Sequence, residues 1–113
     1  MNYDSRDVIK QIKKGIQFRN KAFGSESWKD VSTIITYEWG FVLKSLFYAD
    51  FGDRVDSTHL AYAKSEMLDV MAQIDVLCQI LGWDFDDLRR DGAEKFLTRM
   101  MEYVENNEKR EKV

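Results

Sequence analysis

Residues 59–81 read HLAYAKSEMLDVMAQIDVLCQIL, and this stretch decides the fold class. Wound at about 100° per residue, Ala63, Met67, Val70, Met71, Ile74, Leu77, Cys78 and Leu81 fall within one arc roughly 120° wide. The stretch is therefore a helix with one side turned to a core. Gly82-Trp83-Asp84 closes it, because Gly tolerates the backbone conformation that ends a helix.

Working outward, the same punctuation recurs twice. Gly24-Ser25-Glu26-Ser27 separates a first segment from a second, and Asp50-Phe51-Gly52-Asp53 with Asp56-Ser57 closes the second. Four segments result, at about residues 5–22, 28–49, 58–81 and 85–105. The expected architecture is all-α: a four-helix bundle in a single domain spanning residues 1–105, followed by a charged tail, 106–113, that frays. The first helix carries Val8, Ile9, Ile12, Ile16 and Phe18 with lysines between them. The fourth opens on Asp84 as N-cap with Asp86 and Asp87 in its first turn, which suits the helix dipole. Leu88, Phe96, Leu97, Met100, Tyr103 and Val104 supply its apolar positions.

The second helix differs. Trp28, Val31, Ile34, Ile35, Trp39, Phe41, Val42, Leu43, Leu46 and Phe47 cover nearly its whole circumference. A helix apolar all round needs cover on several sides, and in so short a chain a second copy is the simplest cover. A homodimer sharing this helix is the expectation.

Composition narrows the function classes. The 113 residues carry 17 Lys+Arg against 20 Asp+Glu, and the net charge of −3 gives no general attraction to nucleic acid or anionic membrane. The lone Cys78 excludes an intrachain disulfide framework and a multi-cysteine zinc site, so a reducing cytoplasm is expected. Cys78 itself lies in the apolar arc and reads as a core residue. The start, MNYDSRDVIKQIKK, has charges where a signal peptide needs an apolar run, and no stretch approaches a membrane span. No phosphate-cradling glycine loop and no Ser–His–Asp set is present. His59, beside Ser57 and Thr58, is expected to face solvent.

Two features carry chemistry. Glu38 has Val31, Ile34, Ile35, Phe41, Val42 and Ser45 as its helical neighbours. A carboxylate on such a face loses water at a cost of several kcal/mol unless it is compensated. Either a basic group from another helix pairs with it or it helps to hold a cation between helices. Glu66 and Asp69, three apart, share a face of the third helix with Gln73 one turn on, and this polar strip flanks the apolar arc. Lys64 and Asp75 fall on the opposite side and read as solvent-facing. Carboxylate oxygens converging between helices suit Mg²⁺, a hard ion commonly shared with substrate phosphates.

With these residues in place, the chain resembles a known family. Glu66-Met67-Leu68-Asp69-Val70-Met71-Ala72-Gln73, Leu81-Gly82-Trp83-Asp84, Glu94-Lys95-Phe96-Leu97-Thr98-Arg99 and Glu102-Tyr103-Val104-Glu105 are similar to the MazG-type all-α nucleoside triphosphate pyrophosphohydrolases. Their pattern is E-x-x-E on one helix, E-x-x-D on the next and then a helix with basic residues. The resemblance covers about residues 28–105. It implies a helical dimer or tetramer and Mg²⁺-dependent cleavage of (deoxy)nucleoside triphosphates to monophosphate and pyrophosphate. Glu38, Glu66 and Asp69 would be metal ligands, with Glu38 doubling as the residue that orients or deprotonates water.

Two departures stand out. Phe41 occupies the place of the second Glu of the first motif, and no Asn is found around Asp91-Gly92-Ala93 where many relatives have one. Position 41 then faces either the carboxylates or the core. Lys95 and Arg99, four apart and on one face, suit phosphate groups; the competing role is pairing with Asp91, Glu94 or Glu102. Phe18, Phe23 and Trp28 flank the first loop, which by resemblance lies near a nucleobase pocket. A non-catalytic nucleotide-binding module and a purely structural dimerisation bundle are the alternative functions.

Overall fold

The computed structural model describes residues 5–50 and 56–111; Phe51, Gly52 and Asp53, read above as punctuation, lie outside them. The protein is all-α and bundle-like, with helices α1 (Ser5–Phe23), α2 (Trp28–Ala49), α3 (Ser57–Leu81) and α4 (Phe85–Glu111) and no strand among the described residues. None of these helices is long and apolar enough to cross a membrane. The chain divides into two compact units, Met1–Gly82 and Trp83–Val113.

Local chemistry places the helix ends. At the start of α2, the Asp30 amide donates to Ser27 Oγ at 3.4 Å and the Ser27 amide donates to Asp30 Oδ2 at 3.0 Å, a reciprocal capping box. Ser27→Ala removes the hydroxyl half of this cap and is expected to cost about 1 kcal/mol in urea denaturation. A loss of zero would mean that Asp30 caps alone. Asp56 caps α3 by accepting from the Thr58 and His59 amides. Gly82 ends α3 at φ 73°, in the left-handed region that only Gly enters without strain.

In the first unit, α3 packs mainly against α2 and more lightly against α1. The α2–α3 pair is antiparallel. Ser45 of α2 bonds Glu66, while Glu38, two turns earlier in α2, feels the charge of Asp69, further along α3. The core is small: Val31, Val42 and Ala49 from α2 meet Ala63, Val70, Val76 and Cys78 from α3. Cys78 is thus a core residue, as its position in the arc implies. Asp75 corrects the sequence reading, since only 9 % of it is exposed. Helical angle alone puts Asp75 opposite the main arc, but α3 has two helical neighbours rather than one, so its buried surface exceeds the arc.

The apolar girdle of α2 is only partly covered. Val31 and Val42 are fully buried, whereas Tyr37, Trp39, Phe41, Leu43, Leu46 and Phe47 are exposed.

The second unit is α4. Asp84 is its N-cap: the Asp87 amide donates to Asp84 Oδ1 at 3.0 Å and the Leu88 amide to the Asp84 carbonyl at 3.1 Å. The helix continues to Glu111, past residue 105 where fraying was expected. Lys109 and Arg110 in the last turn oppose the negative end of the dipole, and Lys109 lies 3.8 Å from Glu105. These charge placements favour the helical conformation in a tail with few apolar residues. No described α4 residue is buried.

Candidate functional site

The side of the α2–α3 pair that carries Glu38 and Asp69 also meets α1 through Arg19. Arg19 Nη1 donates to Gln73 Oε1 at 2.8 Å, and Arg19 Nε is 2.8 Å from Glu26 Oε1. One guanidinium thereby ties α1 to α3 and to the loop before α2. Gln73 lies one turn past Asp69, on the polar strip that periodicity identifies.

Glu38 is half-buried, not enclosed. Its Oε2 is nevertheless buried and has no hydrogen-bond partner. Loss of water raises its pKa from the ordinary glutamate value, the Asp69 charge raises it further, and Arg19 lowers it. No ion pair joins Glu38 to a described basic residue; the nearby Arg19 pairs with Glu26 instead. The compensating basic partner considered from the sequence is present only at longer range.

Because the fold favours protonated Glu38, this residue adds stability at low pH, and that contribution is lost as pH rises through its raised pKa. Glu38→Gln is expected to raise the thermal midpoint at neutral pH and to flatten this part of the pH profile. Thermal melts between about pH 4 and pH 8 check this; an unchanged slope would show that Glu38 is not the titrating group.

Glu66 is half-buried and accepts a 2.6 Å hydrogen bond on Oε1 from Ser45 Oγ. Its Oε2 is also buried without a partner. Asp69 is exposed. Among the described residues no three acidic, His or Cys side chains are gathered closely enough to hold a metal ion as they stand. The donor set is all oxygen, as a hard divalent ion requires, and the orphaned Glu38 Oε2 and Glu66 Oε2 are positions where a cation would compensate lost hydration. In donor chemistry the residues fit Mg²⁺.

The remaining candidates are distributed as follows. Phe41 is 51 % exposed and meets the Tyr37 ring edge-on at 5.9 Å between centroids. It is therefore not a core residue, and an acid there would bury no charge. Phe18, Phe23 and Trp28 are exposed and make no ring contact with one another. Lys95 and Arg99 lie on α4 of the second unit, both exposed, and neither forms an ion pair with a described residue. His59 is partly open to solvent, its side chain 37 % exposed. Its Nδ1 is 3.1 Å from Asp56 Oδ2, and the rings of Tyr48 and Tyr62 flank it.

Sequence reasoning missed Arg19 and Glu26. Arg19 looks like one more basic residue of α1, and its bond to Gln73 spans 54 positions. Helical periodicity carries no information at that range. Comparison with protein-family models, curated proteins and solved structures finds no match.

Proposed function

We propose that the protein is a Mg²⁺-dependent nucleoside triphosphate pyrophosphohydrolase, converting (deoxy)nucleoside triphosphate and water to monophosphate and pyrophosphate. One observation carries the reading: two orphaned, buried carboxylate oxygens, on Glu38 and Glu66, occur on the packed α2–α3 pair that also carries Asp69. The resemblance of the Glu66–Gln73 and Glu94–Glu105 stretches to the MazG-type enzymes supports the same chemistry.

Glu38, Glu66 and Asp69 would hold the ion. Mg²⁺ held there would supply neutralisation of phosphate charge and polarisation at the α-phosphorus. Glu38 takes the proton of the water that attacks this phosphorus. Pyrophosphate leaves as the P–O bond to the α-phosphorus breaks. Ser45 steadies Glu66 by hydrogen bonding to Oε1 and leaves Oε2 for the ion. Lys95 and Arg99, on the second unit, are the phosphate-contacting candidates that the resemblance implies, with Arg as a fork and Lys as a point charge. Phe18, Phe23 and Trp28 offer flat apolar surface to the nucleobase.

The working form is a homodimer or homotetramer in the cytoplasm, with α2 in the interface. Trp39, Leu43 and Leu46, spaced four and three apart on α2, remain substantially exposed, and aromatic and aliphatic side chains of this size dominate interface energetics. Light scattering at micromolar concentration should give at least a dimer, and Leu43→Glu should shift it towards monomer. A wild-type monomer refutes the interface.

Phe41 in place of an acid favours one other reading, a module that binds nucleotide without cleaving it. Pyrophosphate release measured over ordinary and modified triphosphates, with and without Mg²⁺, separates the two. Mg²⁺-dependent release supports the enzyme. Triphosphate binding without release supports the module, and the absence of both defeats each.

A further inference from the structure

We propose that Arg19 is a phosphate-contacting residue of this site, its guanidinium held through Nε by Glu26 and through Nη1 by Gln73 so that the remaining nitrogen, Nη2, meets the phosphate chain of the triphosphate. This rests on the pyrophosphohydrolase reading above and adds to it a residue from α1, outside the stretches that carry the family resemblance.

The geometry supplies three reasons. First, the side chain is immobilised. Nε is 2.8 Å from Glu26 Oε1, Nη1 donates to Gln73 Oε1 at 2.8 Å, and the side chain is only 22 % exposed. The two anchors come from different elements, the loop before α2 and helix α3, so they fix the plane of the guanidinium as well as its position. Second, this arrangement uses two nitrogens and leaves Nη2 without a bond to any described residue. Nη2 carries two N–H donors held in the fixed plane of the charged guanidinium, and a phosphate oxygen is an acceptor that suits them. Third, the cation is beside the carboxylates without being consumed by them. Gln73 is one turn from Asp69, and the Arg19 charge is felt at Glu38. Yet the ion pair that Arg19 makes is with Glu26, and Glu38 Oε2 stays unbonded. A residue whose role was only to neutralise Glu38 would pair with it directly.

The test uses the full chain and its Arg19→Gln and Arg19→Lys variants. Titration calorimetry measures binding of inorganic pyrophosphate in the presence of Mg²⁺, and steady-state kinetics measure KM and kcat on the triphosphate that the wild type cleaves best. Charge-assisted hydrogen bonds of this kind predict weakening of pyrophosphate binding by about 10- to 100-fold in Arg19→Gln. KM should rise in parallel, and Arg19→Lys should be intermediate because it keeps the charge and loses the anchored, oriented Nη2 donor. If Arg19→Gln fails to fold, Arg19→Lys alone decides: weakened pyrophosphate binding supports the contact and unchanged binding overturns it. A strap that merely ties α1 to α3 would lower the thermal midpoint while the folded variants bound pyrophosphate like the wild type, and this too overturns the proposal. A wild-type protein that neither binds pyrophosphate with Mg²⁺ nor cleaves any triphosphate overturns it together with the reading beneath it. An active wild type with insensitive Arg19 variants overturns the Arg19 contact alone.

Discussion

Glu66→Gln and Asp69→Asn should each reduce Mg²⁺-dependent pyrophosphate release by at least about 100-fold, since direct metal ligands matter more than the outer partners whose loss costs about 10- to 100-fold. Both variants should remain folded. In Glu66→Gln the new amide oxygen can still accept from Ser45 Oγ, which donates to Glu66 Oε1 at 2.6 Å in the wild type, so the α2–α3 link survives and no cavity opens. Asp69 is exposed, and an amide in its place is solvated as readily as the carboxylate. Asp69→Asn should also draw the pKa of Glu38 back towards the ordinary glutamate value, because the Asp69 charge is one of the causes of its elevation. Circular dichroism, thermal melts and a pyrophosphate-release assay check these points together. Near-wild-type turnover in both variants would remove Glu66 and Asp69 from the metal site.

Val42→Asp is expected to unfold the first unit or to destabilise it by about 3–5 kcal/mol, a large share of the roughly 5–15 kcal/mol that holds a typical domain together. Val42 has no exposed surface and lies with Val31 and Ala49 on the face of α2 that forms the core with α3. A carboxylate there loses its water and finds no partner among these apolar side chains. One position earlier, Phe41→Glu should cost far less, because half of Phe41 is already in solvent and only its edge contact with Tyr37 is lost. Urea denaturation of the pair gives a direct comparison. Equal stability of the two variants would show that the α2 face is wrongly assigned. Restored Mg²⁺ affinity in Phe41→Glu would identify position 41 as a lost ligand site, one turn from Glu38.

Much of the secondary structure is legible residue by residue. Ser27, Gly82 and Asp84 act on backbone groups within a few positions of themselves, so the helix ends they govern follow from local hydrogen bonding and from the freedom of Gly in the left-handed region. Glu66 and Asp69 could be placed at the edge of the α3 core from angle alone. The extension of α4 to Glu111 was less legible: its last two turns are polar, and apolar periodicity is silent about a helix sustained by charge placement.

The sequence by itself therefore determined that the described residues form four helices, where these helices end, and which carboxylates share a face. Only the tertiary structure decided that Asp75 is buried, that Phe41 is not, and that Arg19 reaches across 54 positions to Gln73 between Glu26 and the carboxylates. The physical reason is the same in each case. Helical angle states which side chains lie together on a helix, and local chemistry states where the helix ends. Which face then receives a neighbour, and which long side chain bridges the gap, depends on how helices remote in sequence pack against one another.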